Sequence, residues 1–114
     1  MISAQEWELL SFFAVEPQRL DPDIGWPYND FSYVIERDDL TLTCAIAPAY
    51  KDVRLTLTRN DGTLYELNAL SVADVRYRRD DGTEVIEIVL SERESIRLCV
   101  EPHISIRQVI RAGS

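Results

Sequence analysis

Two stretches decide the fold: Val53-Arg-Leu-Thr-Leu-Thr-Arg-Asn-Asp-Gly-Thr-Leu-Tyr-Glu-Leu67 and Val75-Arg-Tyr-Arg-Arg-Asp-Asp-Gly-Thr-Glu-Val-Ile-Glu-Ile88. Each is an apolar/polar alternation, a turn carrying Asp-Gly-Thr, and a second alternation. A period of two places alternate side chains on opposite faces of a strand. Asp-Gly between such runs signals a tight hairpin, because glycine accepts the positive φ that the turn needs. Both stretches therefore predict β-hairpins, with Gly62 and Gly82 in the turns. Their shared residues need no duplication, since two hairpins obeying the same turn chemistry look alike.

The alternation extends both ways. Phe31, Tyr33 and Ile35, then Leu40, Leu42, Cys44 and Ile46, form a further hairpin around Arg37-Asp38-Asp39. Ser71–Asp74 reads as a bulge or a wide connection. Val85 to Leu90 is apolar on both faces and broken only by Glu87, which suits a central strand covered on both sides, under the N-terminal helix. Ile96, Leu98 and Val100 alternate again. Residues 103–111 fit a short strand or a terminal helix, and Ala112-Gly113-Ser114 reads as frayed.

Towards the N-terminus, Ser3-Ala-Gln-Glu6 fits a capping box. Trp7, Leu9, Leu10, Phe12, Phe13 and Ala14 then make one apolar face of a helix that Pro17 ends near Val15. Such a helix lids a sheet. Residues 16–30, with three prolines and a glycine, can be neither a long helix nor a central strand. The expected architecture is α+β: one domain over 1–114, with a helix over 1–15, an irregular loop over 16–30 and an antiparallel, meander-type sheet over 31–107. That sheet has about seven strands and is open to curving into a half-barrel.

Composition narrows function by exclusion. The 114 residues carry a net charge of −8, which repels nucleic-acid backbones and anionic membranes. No apolar run nears the ~20 residues of a membrane span. The first residues carry two acids and no basic segment, so no signal peptide and a cytoplasmic location are expected. Cys44 and Cys99, far apart, read as free thiols. His103 is the one histidine, so no multi-histidine metal site is expected. No glycine-rich phosphate loop is present. Asp21-Pro-Asp23 lacks the further ligands of a calcium loop. Glu66 and Glu87 hold matching places in the two hairpins, and read as solvent-facing acids that pair across strands with Arg54 and Arg76. Arg76, Arg78 and Arg79 around Tyr77 suggest a single-strand platform, but Asp74, Asp80 and Asp81 bracket them. Neither an enzyme nor a cofactor is expected.

What remains is protein binding. Residues 1–52 hold ten acids and three bases, or −7, while 53–114 hold ten acids and nine bases, or −1. The acidity belongs to the half that also carries the irregular loop. Trp26, Tyr28 and Asp30, with Glu36, Asp38 and Asp39 on the next hairpin, are the candidate contact residues: aromatic anchors among acids that steer a basic partner. Trp26 and Tyr28 could equally pin the loop to the domain. Small acidic domains without catalytic groups often work by occluding a partner, as bacterial immunity and antitoxin proteins do. The chain is like them in size, acidity and want of a catalytic site, and no motif carries a family resemblance. Two other readings stand beside this one: a small-molecule pocket between helix and sheet, and self-association through an open sheet edge.

Overall fold

A computed structural model describes residues 2–111. One helix and nine strands follow in the order α1 (Glu6–Phe13), β1 (Gln18–Arg19), a 3-10 turn (Trp26–Tyr28), β2 (Phe31–Arg37), β3 (Leu40–Ala47), β4 (Asp52–Arg59), β5 (Gly62–Ala69), β6 (Asp74–Asp80), β7 (Thr83–Val89), β8 (Glu94–Cys99) and β9 (Ser105–Ile110). Every strand pairing is antiparallel. Residues 105–110 are a strand, which resolves the alternative of a terminal helix. Ala112, Gly113 and Ser114 lie outside the described residues.

The expected single sheet of about seven strands is instead two sheets, β1-β2-β3-β4-β5 and β6-β7-β8-β9. The chain passes between them at Leu70–Ala73. Ser71 takes a left-handed φ of 52°, which turns the backbone out of the line of β5. The Val72 amide then donates to the Lys51 carbonyl at 2.8 Å, and the Ala73 amide to the Val89 carbonyl at 2.8 Å. With its side chain buried, Val72 fixes the crossing. The wide connection expected at 71–74 is thus the junction of two sheets.

Register explains why both sheets must cover a face. In the first, the rows Phe31–Ile46–Val53–Ala69, Tyr33–Cys44–Leu55–Leu67 and Ile35–Leu42–Leu57–Tyr65 run across the strands on one side. In the second, Tyr77–Ile86–Leu98–Ile106 and Val75–Ile88–Ile96 do the same. These rows join Leu9, Phe12 and Phe13 of α1 in one apolar core. Phe13 stacks on Tyr33 at 4.5 Å between ring centroids, and Phe12 meets Phe13 edge-on at 4.8 Å. The helix thereby closes the first sheet's inner face while it lies against β7 of the second. At about 0.8 kcal/mol per buried methylene, this burial is the main favourable contribution.

The helix begins later than its sequence suggests. Gln5 is the N-cap, and its amide donates to Glu8 Oε1 at 2.8 Å. Ser3 is drawn elsewhere: its hydroxyl reaches Asp74 Oδ2 at 2.5 Å and its amide Asp74 Oδ1 at 2.7 Å. With the Ala4 amide on the Val75 carbonyl at 2.8 Å, this ties the N-terminal segment to the edge of β6. The helix ends at Phe13, with Ala14 in the left-handed C-cap conformation at φ 57°.

The two Asp-Gly turns differ. In the second, Asp81 and Gly82 carry φ of 50° and 81°, as a type I′ turn requires. In the first, the positive φ values fall on Asn60 (49°) and Asp61 (66°). Gly62 is already in β5, opposite Arg59. A register shift between Leu57 and Thr58 leaves Leu64 as the extra residue; this bulge restores the inward facing of Tyr65 and Leu67. Gly82→Ala should therefore destabilise by about 1–2 kcal/mol. Gly62→Ala should cost less, since it carries no left-handed strain, although a Cβ there would sit 3.3 Å from the Arg59 carbonyl. Urea unfolding of both variants checks the order.

Burial alone would raise the Asp74 carboxyl, but the hydrogen bonds from Ser3, Arg76 and the Val75 amide outweigh it and hold the group below its ordinary value. A depressed folded-state pKa contributes stability at neutral pH that is lost as pH falls below about 4. Asp74→Asn removes that contribution. Its denaturant midpoint should fall less steeply than the wild type's between about pH 5 and pH 3.

Candidate functional site

The six candidate contact residues do not form one cluster. Asp30 immediately precedes β2 and Glu36 lies near its far end. At about 3.3 Å per residue, Asp30 sits roughly 20 Å from Glu36, with Trp26 and Tyr28 before the one and Asp38 and Asp39 beyond the other.

The first group is built by the irregular segment. Buried Asn29, which sequence reasoning passed over, organises it: its side-chain amide donates to the carbonyls of Asp21 (2.6 Å) and Ile24 (3.0 Å), and its Oδ1 accepts from the amides of Asp21 (3.2 Å) and Asp30 (2.9 Å). The segment is further held by the pairing of β1 with β2, so 16–30 is less irregular than expected. Trp26 is half-buried with its ring 4.8 Å from Phe31, at the margin of the core. Tyr28 is exposed. Asp30 pairs with Arg54 Nη2 at 3.0 Å, so Arg54 serves Asp30 and not Glu66, which lies opposite Thr56. Tyr50 and Leu70 are also exposed. Leu70 joins Asp30, Asp52 and Arg54 around one shallow depression.

The second group lies at the other end, where two turns project side by side. Asp38 and Asp39 both have positive φ (51° and 67°) and form the tight β2–β3 turn. Asn60 and Asp61 form the β4–β5 turn. Glu36, Asp38, Asp39 and Asp61 gather around a depression of about 450 Å³. Asp61 was missed because its membership depends on the pairing of β3 with β4, and no spacing rule reports that. Arg37 at this end is engaged by Glu101 at 2.5 Å. His103 Nδ1 lies 3.3 Å from Asp38 Oδ2, with both side chains largely in solvent. Among the described residues, no group of three or more His, Cys, Asp or Glu side chains is placed to hold a metal ion.

Between the two ends runs the outer face of the first sheet, with cross-strand threonine pairs Thr41–Thr58 and Thr43–Thr56 beside exposed Val34 and Glu66.

The second sheet handles charge differently. Arg76, Glu87 and Arg97 are direct cross-strand neighbours. Glu87 is not the solvent-facing acid its sequence suggests: it is 5% exposed. Arg78 Nη1 approaches it at 3.4 Å, Arg76 Nη1 at 3.9 Å and Arg97 Nε at 4.0 Å. The arginine stems cover the carboxylate while their heads reach water. Glu66 and Glu87 belong to different sheets and form no carboxylate pair. Tyr77 faces the core side, where its hydroxyl donates to Glu84 Oε2 at 2.7 Å, so the Arg76–Arg79 cluster is divided between two faces.

No family model matches the sequence, and no curated relative does. The fold has a counterpart. Over 92% of its length the chain superposes, at a TM-score of 0.75 and 23% identity, on 92% of a chain from a contact-dependent growth inhibition toxin–immunity protein complex of Klebsiella pneumoniae 342. The two share their architecture. No helix among the described residues is long and apolar enough to cross a membrane.

The two thiols are free. Cys44 is inaccessible, and burial pushes it up to about 12. Burial also raises half-buried Cys99, against the pull of Arg97. A thiol-specific chromogenic reagent at pH 8 should titrate Cys99 in the native protein and Cys44 only after denaturation. Equal native labelling rates, or no labelling in denaturant, would contradict this arrangement.

Proposed function

We propose that this protein is a non-catalytic binding domain of immunity type. On this reading it occludes a basic partner protein with the outer face of its first sheet. The observation that carries the reading is the convergence of Glu36, Asp38, Asp39 and Asp61 from two neighbouring turns onto one depression. Its support is the architecture shared with a chain of a toxin–immunity complex. A standard interface takes about 800 Å² from each partner, a patch long enough to reach from the acidic turns to Tyr28 and Asp30. The acids steer a basic partner over the threonine face. Tyr28 is the aromatic contact at the far end, and Trp26 holds the loop that presents it.

The pocket reading has less room. The space between helix and sheet is occupied by Leu9, Phe12 and Phe13, each at most 2% exposed.

Capture from an extract of the native host should yield a reproducible basic protein. The combination Asp38→Lys with Asp39→Lys should weaken binding at least about tenfold, equivalent to about 1.4 kcal/mol, and added salt should slow association. Absence of a partner would contradict the proposal, as would one indifferent to both Asp38→Lys and Trp26→Ala.

A further inference from the structure

The face of the second sheet turned away from the core has the opposite character. Alternation places Arg76 and Arg78 of β6, Arg97 of β8 and Arg107 of β9 on this side. Arg111, just past β9, lines the same surface. Alternation puts three acids on it, Asp74, Asp80 and Glu87, and Glu92 and Glu94 join Arg93 on the wall of the depression beside Arg111, so six guanidiniums face five carboxylates on a chain whose net charge is −8. The three strand carboxylates are consumed internally, and Glu94 accepts from the Gln108 side-chain amide. Glu87 is surrounded by Arg76, Arg78 and Arg97, Asp80 lies 3.9 Å from both Arg78 and Arg97, and Asp74 holds Ser3 and Arg76. Among the described residues, Arg93, Arg107 and Arg111 make no ion pair. Two adjoining depressions of about 330 and 490 Å³ bring these three together, sharing Glu87, Ser95 and Arg111 as walls.

We propose that this outer face is a second docking surface, which takes an acidic protein surface through its carboxylates. Planar guanidiniums match carboxylates as two-pronged donors. Those held against Glu87 are already fixed in place, which lowers the ordering cost of binding. A nucleic acid fits less well. Tyr77, the aromatic that could stack on bases, is turned to the opposite side, where its hydroxyl donates to Glu84. The surface is separate from the acidic turns, so it does not depend on the basic-partner proposal.

Fluorescence anisotropy of a labelled oligoglutamate peptide with the full chain at low salt provides the test. The double variant Arg107→Glu, Arg111→Glu should weaken binding at least about tenfold. The control Arg59→Glu, Arg79→Glu changes two other exposed arginines without ion partners and should leave binding within about twofold. Unchanged circular dichroism would show that both variants fold. Failure of the peptide to bind, equal loss in the control, or tighter binding of a single-stranded oligonucleotide that the same Arg107/Arg111 change abolishes would each overturn the proposal.

Discussion

The packing of one short helix into the inner face of the first sheet, against β7 of the second, is the constraint on which the rest depends. Phe13 stacks on Tyr33, and Leu9 and Phe12 fill the same apolar core. The segment before the helix is bound to β6 by Ser3 and Ala4. The chain's N-terminal end thus meets the second sheet, while β1 and β2, just beyond the helix, belong to the first. Once both inner faces are committed to this core, their outer faces are determined by alternation alone. That geometry separates a threonine-rich face with acidic turns from an arginine-rich face.

Much of this was legible because it is local. The three hairpins, with the turns at 38–39 and 81–82, the central position of β7 and the breaker role of 16–30 all follow from periodicity and turn chemistry. The division into two sheets was not legible. Both a continuous meander and a pair of sheets show the same alternation, and what separates them is one left-handed residue, Ser71, which no propensity marks. Gly62 misled for a related reason. Asn60-Asp61 can supply the same positive φ as Asp-Gly, and the bulge at Leu64 absorbs the one-residue difference. Ser3 looked like a cap because it is three residues from Glu6, yet a carboxylate 71 positions away competes for it.

The candidate surface was half legible. Charge asymmetry drew attention to β2 and the loop before it, but the six residues fall at two ends of β2, and Trp26 packs at the edge of the core. Asp61 and Glu87 acquire their roles only through long-range pairing, and Asn29 through the closure of its own loop, where it bonds Asp21, Ile24 and Asp30. Glu87 illustrates the general limit: its polar identity implies exposure, whereas three arginines from the neighbouring strands shield it. The second sheet is nearly neutral in sequence, and its polarity emerges only when its residues are sorted by face.

The central claim is that opposite outer faces carry opposite charge and serve different contacts, with the basic partner on the first sheet. Amide hydrogen exchange of the protein, alone and saturated with the basic partner captured from the native host, separates the two faces. Exchange should slow mainly in residues 36–41 and 58–63, with β6 to β9 unchanged. Protection confined to β6–β9, with the acidic turns unaffected, would contradict it.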